Sequence, residues 1–277
     1  MQRKFTKIII DNRKKINKMN EYTSYQQLPV IMGIKKGDTV LLSSDVTDLF
    51  IQCKKHGEKL DLNILLDKFK EAIGEDGNLL IPTYNWGFCK GKTFDYKKTP
   101  SKTGILGDTA LKRNDFIRTK HPIYSFAVWG KDKDYLYSLN NTESFASDSP
   151  FAYLEKINAK NAFIGGASLR NCFTYVHYIE LKLGADYRFV KLFKSHYIDE
   201  NGNDTISTYS MFVRYLEKNI VYAPDPFVDE LYANHIVKSG YIYNIIFEVI
   251  NFKDVTPFIE KDILYNRSKK LCKFDGQ

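Results

Sequence analysis

The stretch NCFTYVHYIE, residues 171–180, places Thr174, His177 and Glu180 at intervals of three in a chain with five histidines. On a helix these side chains lie near one stripe. A carboxylate one turn from a histidine orients the ring and stabilises its charged form, which makes the ring a better proton acceptor. The same spacing arises freely on helices as a surface pair or a satisfied core histidine, so the triplet alone does not decide between these readings. The preceding FIGGAS, residues 163–168, adds context. A strand ending in Gly-Gly, a short polar loop and a helix start set the first turns of the helix at the carboxyl edge of a sheet, where α/β folds bind ligands.

Two further segments carry polar groups at element ends. In RTKHPIYSF, residues 118–126, Pro122 holds His121 extended and Ser125 opens an apolar strand. In SSDVTD, residues 43–48, hydroxyls and backbone N–H groups gather where a strand ends, a setting suited to amide or phosphate groups. No GxGxxG, Walker loop, HExxH or GxSxG occurs. Cys53, Cys89, Cys172 and Cys272 show no CxxC spacing and read as reduced thiols, neither a disulfide framework nor a zinc site. No metal is expected.

The elements that must position these groups are legible. KKGDTVLLSSD (35–45), GNLLIPTYN (77–85), YSFAVWG (124–130) and KNAFIGGA (160–167) read as short buried strands. LDLNILLDKFKEAIG (60–74) puts Leu60, Ile64, Leu65 and Phe69 at helical spacing and ends on Gly74, a C-cap. Alternating strands and helices predict an α/β class, a layered α/β/α core with a mixed sheet. In the last third, runs at 189–197, 209–213 and 241–252, with a turn at NGND (201–204), predict an added antiparallel β meander.

The 277 residues are 43% hydrophobic and 27% charged, a globular composition. No apolar run approaches the roughly 18 residues of a membrane span, so a cytoplasmic protein is expected. Residues 1–36 hold nine Lys and Arg against two Asp and Glu, so +7 of the net +8 is N-terminal. The chain therefore divides into a basic arm, 1–29, and a single domain, 30–277. The arm is expected to be a solvated end; peripheral contact with anionic lipid and a homodimer stay open. No aromatics interleave its lysines as a nucleic-acid platform requires, and no nucleic-acid partner is expected.

The order of the pieces is more specific than any one. GD-hydrophobic-SS, a Pro-Thr strand end, FDYKKTPSKTG, RTKHPIYSFAVWG, SPF and a glycine-rich strand followed by T-x-x-H-x-x-E succeed one another over about residues 30–200. This succession resembles the aminoglycoside N(3)-acetyltransferase family, the antibiotic N-acetyltransferase fold. The resemblance implies an acetyl-CoA-dependent enzyme that acylates an amine on a sugar ring directly, with no metal. It implies His177 as general base, Glu180 as its orienting carboxylate, and His121 beside the same cleft; the thioester carbonyl then needs donors for its developing oxyanion, which strand-end N–H groups or Thr174 could supply. It maps Ser43, Ser44, Asp45, Val46, Thr103 and Gly104 onto the CoA-binding wall, with Arg118 and Ser125 on that wall too. The sequence departs from the family at Ser43, where histidine is common, and after Gly104, where the run is ILGDTALKR.

Aminoglycosides are polycations, and near the motifs only Asp45, Asp148 and Asp186 offer obvious carboxylates. The expected acceptor is therefore an amino sugar of cell-surface polysaccharide or nucleotide-sugar biosynthesis, with an aminoglycoside as the alternative. A non-catalytic CoA- or sugar-binding member is a further alternative, disfavoured because Thr174, His177, Glu180 and His121 are all present.

Overall fold

In the computed structural model, residues 23–274 are described. Their strands are β1 (Thr39–Asp45), β2 (Asn78–Pro82), β3 (Phe94–Asp95), β4 (Ile117–Arg118), β5 (Phe126–Gly130), β6 (Lys160–Gly165), β7 (Arg188–Ile198), β8 (Asp204–Arg214), β9 (Val221–Tyr222), β10 (Lys238–Ile242), β11 (Ile245–Asn251) and β12 (Cys272–Lys273). Seven of them form one mixed sheet in the order β10-β11-β6-β1-β2-β5-β4. β1 lies at its centre and runs parallel to both β2 and β6. β5 and β11 pair antiparallel on the outer sides of β2 and β6.

The pleat sorts these strands onto two cores. Val40, Leu42, Leu79 and Ile81 face one layer, with Leu28, Leu49, Leu65, Phe69 and Leu106 from helices on that side. Leu41, Leu80 and Val128 face the other, with Phe151, Val176, Ile179, Val255 and Ile259. Because both faces are covered, the central strands are apolar along nearly their whole length, which is the run-like pattern seen in the sequence. The α/β/α expectation holds.

The C-terminal strands divide among three sheets, β9 and β12 forming a two-stranded one of their own. β7 and β8 make an eleven-residue antiparallel hairpin, and β3 joins β7 in a separate three-stranded sheet. The turn falls where NGND predicted it: Asp199 Oδ1 accepts from the N–H groups of Asn201 and Asn203, both at 2.8 Å. The run at 241–252 is not one long strand. It folds back through Tyr243, at φ 54, so that β10 and β11 form a hairpin on the edge of the main sheet.

The basic arm as drawn, 1–29, falls largely outside the described residues, but its boundary needs correction. Tyr25–Gln27 forms a 3-10 turn and Leu28–Met32 a short helix. Tyr25 and Leu28 are buried in the core, and Tyr25 Oη accepts from the Asp61 N–H at 3.2 Å. The charge count could not separate these residues from the arm because residues 22–34 carry no charged side chain. Among the described residues no helix is long and apolar enough to cross a membrane.

Leu28→Ala is expected to cost about 2–5 kcal/mol of stability, the usual range for a buried leucine, read by chemical denaturation. Truncation through residue 29 should lower Tm for the same reason. An unchanged midpoint for both variants would show that this segment is outside the cooperative core.

Candidate active site

The chain leaves β1 on one side to reach β2 and returns on the other side to β6, so a crevice opens at the carboxyl end of β1. Ser44 pairs with Ile164 and Asp45 with Gly165 at that edge. Gly165 takes φ +69 there, and a Cβ on it would lie 2.2 Å from the Asp45 carbonyl oxygen. The close approach of the two strand ends therefore requires glycine.

A cavity of about 260 Å³ fills this crevice. Ser43, Ser44, Pro82, Tyr84, Thr103, Thr174 and His177 line it. Thr103 is set by its hydroxyl, which donates to the Pro82 carbonyl at 2.8 Å. Asp108, in the run that departs from the family, accepts from the Ser101 N–H at 2.7 Å and closes the same loop. Gly104 lies against Ser44: a Cβ on it would come within 3.2 Å of the Ser44 carbonyl oxygen. Val46 is buried at the start of helix Thr47–Lys55, while Asp45 is exposed and accepts from the Thr47 N–H at 3.0 Å.

A second cavity, about 550 Å³, lies under the β7–β8 hairpin. His177, Trp86 and Tyr124 line both cavities, so the histidine stands where they meet. Its helix spans Val176–Lys182, which leaves Thr174 two residues before the helix. The expected single helical stripe is thus a turn followed by a helix. The His177 N–H donates to the Thr174 carbonyl at 3.0 Å, and Thr174 still reaches the smaller cavity.

His177 Nδ1 lies 2.7 Å from Glu180 Oε2. An ionised carboxylate only accepts, so Nδ1 carries the hydrogen and Nε2 keeps its lone pair. Glu180 is fully buried. The Tyr187 hydroxyl donates to its Oε1 at 2.6 Å. Arg188 Nε stands 2.7 Å from Oε2 as a charge contact; no aligned hydrogen bond is made there. Burial alone would raise the Glu180 carboxyl, but the His177 ring and Arg188 outweigh it and hold it below its ordinary value. Burial, then Arg188 and Arg214, pull His177 below its ordinary value against the opposing pull of Glu180. The ring is therefore a neutral base at pH 7.

Of the sequence-nominated residues, Glu180, Asp45, Val46, Gly104, His121, Arg118 and Ser125 line neither cavity. His121 is 2% exposed and both its nitrogens are engaged. Nδ1 accepts from the N–H groups of Ile123 and Tyr124, each at 3.2 Å, and Nε2 faces the Ser144 hydroxyl at 3.4 Å. Burial pushes its pKa down to about 3. Arg118 and Ser125 are buried behind the crevice. The guanidinium donates to the carbonyls of Thr99 at 2.6 Å and Thr83 at 3.3 Å, and to the Ser125 hydroxyl at 3.1 Å. The R-x-x-H-P-x-x-S segment thus ties the 94–103 loop to β5. Its polar residues satisfy backbone groups, a use that sequence alone does not separate from ligand binding.

Trp86, Tyr84, Tyr124, Tyr187, Arg188, Lys191 and Arg214 were not nominated from the sequence. In DYRFVKLF, residues 186–193, nothing local says that Tyr187 and Arg188 turn inward to a carboxylate on another element. Among the described residues, no group of three His, Cys, Asp or Glu side chains could hold a metal ion.

The model of the aminoglycoside 3-N-acetyltransferase family matches residues 55–263. The chain belongs to this family. It is an acyl-CoA-dependent N-acetyltransferase with acetyl-CoA as co-substrate. A search of curated protein sequences returns no match. Among solved structures, the aminoglycoside acetyltransferase AAC(3)-Xa is similar at a TM-score of 0.72 and 15% identity, covering 92% of this chain and 97% of that one. The YokD protein from Bacillus subtilis is similar at 0.70 and 19%, covering 90% and 96%. AAC-IIIb, solved as a binary complex with CoASH, is similar at 0.70 and 16%, covering 88% and 97%.

The titration of His177 is testable. The acid limb of kcat/KM should lie below pH 6.5, because the folded-state pKa is lowered and the neutral ring is the active form. Arg214→Gln removes a charge that depresses the ring, so the limb should move to higher pH. His121→Ala should lower Tm and leave the limb in place; a displaced limb would return His121 to the reaction.

Proposed function

We propose that the chain transfers an acetyl group from acetyl-CoA directly to the amino group of an amino sugar, with His177 as the general base. The observation that carries this reading is the position of His177 Nε2. It is a neutral, unblocked base at the junction of two cavities, backed by a buried carboxylate. One cavity can take the acyl-bearing thioester and the other the amine.

The smaller cavity suits the pantetheine arm. Its walls are strand ends and short polar side chains, Ser43, Ser44 and Thr103, and it has no fixed charge. Beside it, also touching Trp86, lies a cavity lined by Lys90, Lys92 and Lys102 with no acidic residue. Lysines there suit the phosphates of CoA. Asp45, Val46 and Gly104 would shape the wall without touching the cofactor.

An ammonium cannot attack a thioester until it loses a proton. Nε2 accepts that proton, and Glu180 stabilises the imidazolium through Nδ1–H. The amine nitrogen then forms a bond to the carbonyl carbon while the oxygen takes up negative charge. The Thr174 hydroxyl, on the wall of the smaller cavity, would be a side-chain donor to that oxygen. The C–S bond breaks, the proton held by His177 passes to the departing thiolate, and the surplus proton on the new amide nitrogen leaves through Nε2 to solvent, so that a neutral amide and the CoA thiol result. No residue becomes acylated in this direct transfer.

The comparisons favour an aminoglycoside acceptor over the biosynthetic acceptor expected from the sequence, since the family is named for it. Identities of 15–19% carry the fold; the acceptor is chosen by the side chains of the larger cavity.

His177→Ala should lower kcat by about two to four orders of magnitude, the usual worth of a general base, with little change in the KM for acetyl-CoA. Glu180→Gln should cost about tenfold to a hundredfold, since it orients without transferring the proton. Release of free CoA thiol measures both. Turnover of His177→Ala within tenfold of wild type would remove His177 from this role. Lys90→Glu with Lys102→Glu should raise the KM for acetyl-CoA alone.

A further inference from the structure

We infer that the larger cavity selects an acceptor that carries an anionic group, a phosphate in the first instance, and that Lys191 holds it. The inference rests on the acyl-transfer reading above and names the substrate class of that site.

The charged side chains lining this cavity are Arg188, Lys191, Arg214 and Glu217, together with neutral His177. Arg188 is balanced by Glu180 at 2.7 Å. That leaves two cations against one exposed carboxylate. Among the described residues neither Lys191 nor Arg214 has an ion-pair partner. Arg214 donates Nη1 to the Ile220 carbonyl at 2.8 Å, and Lys191 Nζ stands 5.6 Å from the Phe193 ring centroid. Asp45, Asp148 and Asp186, the carboxylates that a polycation would need, do not line this cavity.

The placement matches an amine at one end and an anion at the other. Phe189, Lys191 and Phe193 alternate onto one face of β7, opposite Met211 and Val213 of β8, and form the cavity roof. Lys191 lies three residues along the strand from Arg188, which marks the His177 end. That is roughly 10 Å at the usual rise of a strand, about the span of a hexosamine bearing one phosphate. Arg214 is the ladder partner of Arg188 and stands at the His177 end, so Lys191 is the cation placed to meet the anion at the other end. The same cations lower the proton affinity of a bound ammonium, as Arg214 already does for His177, and so favour the neutral amine. An aminoglycoside with several ammonium groups would meet like charge throughout.

The test compares glucosamine, glucosamine 6-phosphate, UDP-glucosamine and kanamycin as acceptors for the full-length protein, by CoA thiol release. Glucosamine 6-phosphate or UDP-glucosamine should exceed glucosamine in kcat/KM by about tenfold to a hundredfold, the range of one to two charge-assisted hydrogen bonds. The member of the pair that wins identifies a phosphomonoester or a nucleoside diphosphate as the source of the anion. Lys191→Glu should abolish the preference without changing the KM for acetyl-CoA. Lys191→Gln, a milder change at an exposed strand position, should reduce it. Equal use of glucosamine and both phosphorylated acceptors, or a preference for kanamycin, would overturn the inference. So would a Lys191→Glu variant whose only defect is a raised KM for acetyl-CoA, because the cations would then serve the CoA phosphates. Loss of activity in His177→Ala on every acceptor reports on the base and is independent of these outcomes.

Discussion

Glu180 is the group on which the rest of the site depends. A carboxylate with no exposure to water is strongly unfavourable unless its oxygens are matched by donors or charge. Here the His177 ring, the Tyr187 hydroxyl and the Arg188 guanidinium surround it. His177 comes from the helix at the edge of the main sheet, whereas Tyr187 and Arg188 stand where the chain enters β7. Satisfying one buried charge therefore docks the hairpin onto the helix. It also sets the tautomer of the base and the position of the cavity roof in a single act.

This coupling has an electrostatic consequence. Glu180 raises the affinity of His177 for a proton, while burial and the two arginines lower it, and the balance falls on the neutral side. A base kept neutral yet backed by an anion is ready to accept a proton and to release it again. The cations thus divide the work: Arg188 neutralises the buried carboxylate, while Lys191 and Arg214 give the larger cavity its sign. On the proposed reading Arg214 would serve both chemistry and acceptor choice, and altering its charge would also alter the titration of His177.

The sheet supplies the remaining constraint. Because β1 has parallel neighbours on both sides, three strand ends, those of β1, β2 and β6, deliver backbone and small side chains to one crevice. Large residues there would close it, which is the physical reason for Ser43, Ser44 and the Gly165–Gly166 pair. Aromatic residues of the 84–86 and 124 positions wall the junction, with Tyr84 and Tyr124 at 4.8 Å between ring centroids.

The amino-acid sequence by itself determined the layered α/β core, the crevice-lining Ser43, Ser44 and Thr103, and the His177–Glu180 pair. Each of these is a local pattern: an apolar run between turn signals, a strand end of small residues, a carboxylate one turn from a histidine. It did not separate His121, Arg118 and Ser125 from the reacting groups, because a polar residue that satisfies buried backbone looks the same in sequence as one that meets a ligand. Only the tertiary structure showed that both His121 nitrogens are occupied and that Arg118 is spent on carbonyls. Nor could the sequence place Tyr25 and Leu28 in the core or split the run at 241–252 into a hairpin. The sign of the acceptor cavity belonged to the tertiary structure for the same reason. Lys191 and Arg214 lie 23 positions apart in the chain, and only the register of β7 against β8 brings them to one cavity with His177.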